Sequence, residues 1–314
     1  MSTLNIPSTA TAPAYRPLAA LLFVGAYTIL AAGNGVAAGS LLQQIDIAAF
    51  TFISFVCAVL MFALLRRLTP GAQAPLAGTL AGRDIATLNV TTAGSWILMY
   101  VAYANMEPAV ASTLMCSVGP FIAVAVEKRG EQRDRGLRTC MALGFLFGSA
   151  LLAYGSLSGH SALPDFDTRR IALAIMASFG CGYFMTVSTV YLKRLSTRGF
   201  STGQVMAHRF YLMLLATGGY ALWQGTLVPT AMAHGTVIVL LSVVGVVLPL
   251  ILLQRGIALG SPFLTLVVIA FAPLFSMALQ LFDGRLSTSA LSVAGGAITC
   301  LFSVATVRVI LRPV

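Results

Sequence analysis

Apolar stretches of about twenty residues, separated by short charged segments, run through almost the whole chain of 314 residues. Hydrophobic residues make up 58% of the sequence and charged residues only 9%, about a third of the charged share in a soluble protein. A helix needs about 20 mostly apolar residues to cross a bilayer. Lipid offers no hydrogen bonds to an open backbone, which leaves helices and closed barrels as spanning structures. The sequence therefore predicts an all-α integral membrane protein.

The charged segments divide the apolar sequence into ten predicted transmembrane helices. These span approximately residues 17–41, 47–65, 84–104, 108–127, 138–157, 169–192, 203–223, 235–255, 262–282 and 287–307. Residues 1–16 are rich in Ser, Thr and Pro and are predicted to form a disordered cytoplasmic tail. The remaining chain is predicted to comprise a first five-helix repeat (17–157), an outer linker (158–168) and a second five-helix repeat (169–314).

The basic residues are distributed unevenly along the chain. The formal net charge is +10, and most of the 19 Lys and Arg fall on one side of the ten-helix arrangement. This is the pattern expected when basic loops stay in the cytoplasm. It predicts that both termini are cytoplasmic and that the protein lies in a bacterial inner membrane. The positive charge then orients the chain in the bilayer, and no nucleic-acid partner is expected.

Two segments half a chain apart carry the same arrangement of prolines. Residues 107–130 read EPAVASTLMCSVGPFIAVAVEKRG, and residues 261–285 read SPFLTLVVIAFAPLFSMALQLFDGR. Pro108 and Pro262 open their helices at little cost, because the first N–H groups of a helix have no helical partner. Pro120 and Pro273 fall inside the helices and predict kinks. Since each half has an odd number of helices, the pattern predicts two inverted repeats, an arrangement typical of transporters.

These features resemble the drug/metabolite transporter superfamily, and its EamA-type branch in particular. The resemblance covers about residues 17–310 and rests on YVAYANMEPAVASTLMCSVGPFIAVAVE, on LLQRGIALGSPFLTLVVIAFAPLFSMALQLFDGRLS and on His208-Arg209-Phe210. The corresponding part of the second helix, Phe50-Thr51-Phe52, lacks the arginine. The resemblance implies a secondary transporter that works by alternating access. It implies export of small amphipathic metabolites such as amino acids or their derivatives.

The third predicted helix carries a polar and aromatic stripe. Asn89, Thr92, Trp96, Tyr100 and Tyr103 are spaced by three or four residues and therefore share one helix face. Such a face is expected to point towards protein or a water-filled cavity rather than lipid. Asn89, Trp96 and Tyr100 are therefore predicted to bind the substrate. For Tyr103, anchoring at the membrane interface is the alternative.

Other polar residues in the apolar segments extend this predicted site. Asn34 and Gln280 are included because a buried amide needs several hydrogen-bond partners. Tyr183 is included as an aromatic candidate, although the polar residues of its helix are also explained by packing.

Small residues and prolines of the fourth helix suggest packing and movement. A stripe of small residues is interpreted as a surface for close approach of another helix; its members are Ser112, Cys116, Gly119 and Ala123. Gly119 and Pro120 are predicted to act as a gating hinge, with Pro273 as their counterpart in the second half.

Arg209 and His208 lie inside an apolar segment, where charge is costly and usually functional. Arg209 could hold a substrate carboxylate through a bidentate contact, or its long side chain could extend to the cytoplasmic headgroups. His208 is predicted to bind the substrate with it, and a histidine ordinarily titrates near neutral pH, but no carboxylate falls near a predicted membrane midplane. The pattern is therefore as compatible with a facilitator or exchanger as with a proton antiporter. It favours neutral, zwitterionic or anionic solutes over cations.

Several other classes of protein are disfavoured by what the sequence lacks. The five cysteines form no CxxC pair, so neither a zinc site nor a disulfide framework is predicted. No HExxH, Walker loop or GxSxG motif occurs, which argues against an enzyme, and no metal or cofactor is expected. The alternative function is a facilitator or channel-like permease for other organic solutes, such as organic anions or drugs.

Glycines near the ends of the two halves leave the oligomeric state open. Gly144 and Gly148 show GxxxG spacing, and Gly295 and Gly296 lie at the matching place in the last helix. Such spacing permits two helices to approach closely. The close approach is explained by ordinary helix packing, by an interface between the two halves of the chain, or by an interface between two protomers. The predicted partners are thus a small-molecule substrate and the lipid bilayer, with the protein a monomer or a homodimer.

Overall fold

The computed structural model describes residues 16–68, 79–126, 135–158, 167–283 and 290–310, which are almost entirely helical and contain no strand. The helices are α1 Pro17–Leu42, α2 Ile47–Leu68, α3 Thr79–Asn105, α4 Pro108–Val126, α5 Arg135–Leu157, α6 Thr168–Thr197, α7 Thr202–His208, α8 Tyr211–Trp223, α9 Leu227–Ser242, α10 Leu248–Leu259, α11 Pro262–Ile269, α12 Ala272–Gln280 and α13 Ala290–Ile310. A π-helical turn, Val243–Val247, joins α9 to α10. Most of the predicted tail (1–15) and of the predicted outer linker (159–166) lies outside the described residues.

Five of the described helices are long and apolar enough to cross a membrane. They are Pro17–Leu42, Ile47–Arg67, Gly82–Asn105, Thr168–Thr197 and Leu227–Leu259. Shorter apolar helices occur at Pro108–Gly119, Ala142–Leu157 and Leu264–Gln280. Large apolar side chains also point outward, among them Met232 (84% exposed) and Phe282 (89% exposed). This apolar, helical exterior is compatible with an all-α membrane protein.

Two of the predicted helices extend well beyond their apolar cores. Hydropathy predicts that the sixth helix ends at residue 192, whereas α6 continues to Thr197 and includes Lys193 and Arg194. The eighth was predicted over 235–255, whereas the helical segment runs from Leu227 to Leu259. Helical hydrogen bonding continues into polar residues at the ends of a span, so hydropathy alone underestimates helix length.

The two halves of the chain are interleaved rather than side by side. Helix α3 packs along α6, and α1 packs along α10. Helix α4 packs against both α6 and α12, α5 packs against α13, and α2 packs against α8 and α9. Each of these pairs joins a helix before residue 158 to one after it. The centre of the molecule is therefore enclosed by helices from both halves.

Basic residues tie several helix ends together at one end of the molecule, called here the basic end. The Asp84 carboxylate, near the start of α3, accepts hydrogen bonds from Arg194 (3.3 Å) and Arg198 near the end of α6. Lys193 donates through Nζ to the carbonyl oxygen of Ala258, at 2.9 Å, near the end of α10. The start of α3 and the ends of α6 and α10 therefore lie together.

Polar contacts at the opposite end again join the two halves. Asp46, between α1 and α2, accepts hydrogen bonds through Oδ1 from the Ala49 backbone N–H (2.8 Å) and the Thr226 hydroxyl (3.1 Å). Gln280, at the end of α12, accepts through Oε1 from the Ala109 backbone N–H at 2.7 Å. That N–H belongs to the first turn of α4, so Gln280 supplies a partner that the helix itself cannot provide.

Candidate functional site

The segment predicted as a continuous seventh helix is broken at its arginine. Helix α7 ends at His208 and α8 begins at Tyr211. Between them, Arg209 (φ −96°, ψ −3°) and Phe210 (φ −114°, ψ 3°) leave the regular helical conformation. The prediction of a single helix over 203–223 was therefore wrong. No glycine or proline marks the break, so it depends on contacts with other helices.

Asn89 of α3 satisfies the backbone groups that the break sets free. Its Nδ2 donates to the carbonyl oxygen of His208 at 2.7 Å, and its Oδ1 accepts from the Leu212 N–H at 3.3 Å. A third hydrogen bond runs from Nδ2 to the carbonyl oxygen of Ile85 at 3.0 Å. Unpaired backbone groups are costly in a buried apolar setting. Asn89 therefore holds the two half-helices together at the break.

Aromatic packing fixes the other residue of the break. Phe210 is completely buried, with its ring centroid 5.1 Å from that of Phe55 and 6.4 Å from that of Phe62, both in α2. Phe55 in turn contacts Trp96 of α3 edge to face, with ring centroids 4.8 Å apart. This cluster anchors the break against α2 and α3.

Arg209 is buried at the break, with only 3% of its surface exposed. Its Nε donates to the Thr92 hydroxyl of α3 at 3.2 Å, and its Nη1 lies 3.8 Å from the Met206 sulfur. The guanidinium carbon is 5.2 Å from the centroid of the Phe210 ring. Within the described part of the chain, no carboxylate pairs with it. The Arg209 side chain is therefore buried against α3 rather than extended towards an outer surface.

Arg209 lines a central cavity of about 90 Å³ between α1, α3, α4, α6 and α10. The wall combines aromatic, sulfur-containing and small polar side chains, among them Tyr27, Trp96, Met99, Met185, Ser188 and Thr189. Ligand pockets are usually apolar clefts with a few placed polar groups. The cavity has that composition, but its volume is below the roughly 300 Å³ at which pockets for drug-sized ligands begin. It therefore suits a small solute.

Two further predicted binding residues line the cavity. Trp96 lies between Phe55 and Tyr100 and presents part of its surface to the cavity. Asn34 lies in α1 against Gly245 of the π-helical turn, where any Cβ would overlap its amide. The Asn34 Oδ1 is buried and has no hydrogen-bond partner among the described residues. Its amide is therefore packed between α1 and the π-helical turn beside the cavity.

The remaining predicted binding residues lie outside the cavity lining. Tyr100 is fully buried and packs edge to face on Phe50, with ring centroids 5.1 Å apart. Asn89 lies at the helix break, and Gln280 caps α4. His208 lies between the Arg66 guanidinium (3.1 Å) and the Tyr211 hydroxyl (2.6 Å). Tyr183 is half exposed on the outer surface of α6.

The predicted gating residues differ between the two halves. Helix α4 continues through Pro120 to Val126, and the Pro120 side chain lies outside the described part of the structure. In the second half the helix is interrupted at Ala270 and Phe271, and Pro273 lies in the first turn of α12. Gly119 packs closely on α11, where a Cβ would lie 3.2 Å from a Leu266 methyl group.

Hydroxyl groups and sulfur atoms contribute more to the cavity wall than the sequence pattern predicts. Tyr103 was also interpreted as an interface anchor, but its hydroxyl is 3.2 Å from the Ser112 hydroxyl at the cavity wall. The small-residue stripe predicts a packing role for Ser112 and Cys116, whereas both line the cavity. Their small size explains both roles, since a small side chain lets helices approach and leaves space beside them. The polar stripe on α3 was the signal that pointed to Tyr103.

Comparisons with known proteins show the fold but no activity. No protein-family model and no curated protein matches the chain. Among solved structures, 17 chains match. One of them, described as "Crystal structure of protein", has a TM-score of 0.64 and covers 93% of this chain and 99% of its own length. The sequence identity is 17%, so the likeness is one of fold alone.

Proposed function

We propose that the chain is a secondary transporter that works by alternating access and exports small amphipathic metabolites with a carboxylate, such as amino acids or their derivatives. The observation that carries the proposal is Arg209, a buried cation that lines a central cavity at the break between two half-helices. Helix breaks at a binding cavity are typical of transporters, and guanidinium groups bind carboxylates through paired hydrogen bonds. The resemblance to the EamA-type branch of the drug/metabolite transporter superfamily supports the same function.

The proposed architecture is ten transmembrane helices in two inverted five-helix repeats. A first pair of matching contacts supports it. Gly94 of α3 packs directly against Phe184 of α6, and Gly245 of the π-helical turn packs directly against Asn34 of α1. The two glycines are 151 positions apart, and the two residues that they contact are 150 positions apart. The second contact is therefore the first with the two halves exchanged.

A second pair of contacts, between α5 and α13, shows the same relation. Gly144 of α5 packs directly against Phe302 of α13, and Gly295 of α13 packs directly against Leu152 of α5. The glycines are again 151 positions apart, and their partners are again 150 apart. Alternating access by inverted repeats uses this kind of equivalence, because the two halves can exchange conformations.

The proposed location is a bacterial inner membrane, with the basic end and both termini in the cytoplasm. The clustering of Lys193, Arg194 and Arg198 near one end supports this orientation, because basic residues accumulate on the cytoplasmic side. The proposed oligomeric state is a monomer or a homodimer.

The proposal is tested by solute flux into proteoliposomes that contain the purified full chain. Labelled amino acids, organic anions and organic cations are supplied with and without a pH gradient. A carrier is expected to show saturable flux that accelerates when unlabelled solute is present on the opposite side. Flux that stays proportional to concentration, without such acceleration, would indicate a channel-like permease. Absence of any flux above that of protein-free liposomes would contradict both functions.

Two native cysteines test whether the central cavity is the transport path. Cys116 and Cys181 are buried and line the cavity, whereas Cys140 is exposed. We expect N-ethylmaleimide to inhibit flux, saturating solute to protect against it, and the paired Cys116→Ser and Cys181→Ser change to abolish the inhibition. Cys140→Ser is the matched control and is expected to leave the inhibition unchanged. Inhibition that persists in the double variant would place the reactive thiol outside the cavity and contradict this prediction.

A further inference from the structure

The charge of the central cavity limits which solutes it can bind. Arg209 is the single charged side chain among the described residues that line it. The other lining residues are neutral, and none of them is Asp, Glu, Lys or His. The cavity therefore has one fixed positive charge and no described carboxylate to balance it.

The neighbours of Arg209 leave most of its hydrogen-bonding capacity unused. A guanidinium has five N–H donors. In the described part of the chain, Nε donates to Thr92 and Nη1 faces the Met206 sulfur, which is a weak acceptor. Both of these acceptors are neutral. The remaining donors suit an anionic group that accepts two parallel hydrogen bonds, as a carboxylate does.

The position of Arg209 is fixed before any solute arrives. Asn89 bonds the backbone on both sides of the break, and Phe210 is anchored between Phe55 and Phe62. The guanidinium is also held by Thr92. A solute therefore meets a preformed site and does not have to order the arginine on binding.

Building on the proposed function, we infer that the solute is a small monoanion whose carboxylate pairs with Arg209 and whose apolar body contacts the sulfur and aromatic wall. A monoanion makes the loaded cavity neutral. A zwitterionic amino acid leaves a net positive charge in a buried site, and an amine adds a second one. Uncompensated buried charge is strongly unfavourable, so the charge balance favours the monoanion over both.

The rest of the cavity wall agrees with an apolar body of modest size. Met99, Met115 and Met185 line the cavity together with Trp96. Methionine side chains are flexible and polarisable, so they adapt to different apolar shapes. The wall therefore selects for apolar character, and Arg209 selects for negative charge.

The inference is tested with three solutes that share a branched carbon skeleton and differ in charge. They are 4-methylpentanoate (anion), leucine (zwitterion) and 3-methylbutylamine (cation). Binding to the purified full chain in detergent is measured by calorimetry. As a second readout, each of the three solutes is tested as an inhibitor of the flux of a labelled solute into proteoliposomes. We expect 4-methylpentanoate to bind about tenfold or more tightly than leucine, and the amine not to bind. Equal or tighter binding of leucine or of the amine would overturn the inference.

Variants of the arginine identify the source of the preference. In Arg209→Gln, the affinity for 4-methylpentanoate is expected to fall about tenfold or more, and the preference over leucine to disappear. Arg209→Lys keeps the charge without the paired geometry, so an intermediate affinity is expected. Arg255→Gln changes an exposed arginine of α10 and is expected to have no effect. Unchanged anion binding in Arg209→Gln would overturn the inference, and the wild-type series tests it even if that variant does not fold.

The results separate this inference from the proposed function. Saturable flux of leucine or of the amine, without anion binding, would retain a transporter and reject the monoanion. Anion binding that depends on Arg209, without flux of any solute, would retain the anion site and reject the transporter.

Discussion

At the scale of single residues, the candidate site depends on an amide that does not line the cavity. Asn89 bonds the carbonyl oxygen of His208 and the N–H of Leu212, the backbone groups on either side of Arg209. A helix break in an apolar interior needs such partners, because neither water nor the helix supplies them. Asn89 therefore acts on the site by positioning Arg209.

We predict that Asn89→Ala destabilises the protein and impairs solute binding. The change leaves two buried backbone groups without a partner, at a cost of about 1–3 kcal/mol for each. The matched control is Asn105→Ala in the same helix, because Asn105 donates to Val101 of its own helix at 2.8 Å and, among the described residues, to no facing helix. The stability of both variants is measured from unfolding curves in detergent that are recorded by circular dichroism. Equal loss of stability in the two variants would argue against the positioning role.

At the scale of helices, the packing of α4 on α6 depends on the absence of one side chain. At Gly182 of α6 a Cβ would overlap the carbonyl oxygen of Met115 in α4. Cys116 and Cys181 adjoin this crossing and line the cavity. The backbones therefore meet beside the cavity, and their separation sets its width on that side.

We predict that Gly182→Ala costs about 1–3 kcal/mol of stability, because overpacking of a close contact forces the two backbones apart. Gly219→Ala in α8 is the control, since a Cβ there meets nothing within 4 Å. It is expected to be neutral or to stabilise by up to about 1 kcal/mol through helix propensity. Thermal unfolding of both purified variants measures the difference. Comparable stability of the two would contradict the tight crossing.

At the scale of the whole molecule, contacts between distant helix ends agree with the distribution of charge. The start of α3 and the ends of α6 and α10 meet at the basic end through Asp84, Arg194 and Lys193. The connections near Asp46 and Thr226 meet at the other end. The basic residues that the sequence assigned to one side of the bilayer thus come together in the folded chain.

We predict that the basic end faces the cytoplasm. In a background with all five native cysteines replaced by serine, single cysteines are introduced at the exposed residues Ser158 and Thr197. A membrane-impermeant maleimide added to intact cells is expected to label Ser158→Cys, and to label Thr197→Cys only after permeabilisation. The physical reason is the retention of basic segments on the cytoplasmic side during insertion. The reverse labelling pattern would invert the proposed orientation.

The sequence by itself determined the helical class and the polar face of α3. Apolar length, charge and helical spacing are local properties, so they can be read without knowing which helices meet. Local sequence also indicated an interrupted helix at Pro273, which lies at a helix start next to a break. It likewise indicated a cavity position for Trp96, which lines the cavity.

Only the tertiary structure decided where the helix around Arg209 is interrupted and which side chains line the same cavity. The break at Arg209 has no local signal, and its stabilising bond joins residues 119 positions apart. Gln280 is likewise committed to an N–H 171 positions away, and Tyr183 points outward although it lies in a cavity-lining helix. A buried polar group takes the partners that packing brings to it, and packing depends on the whole chain.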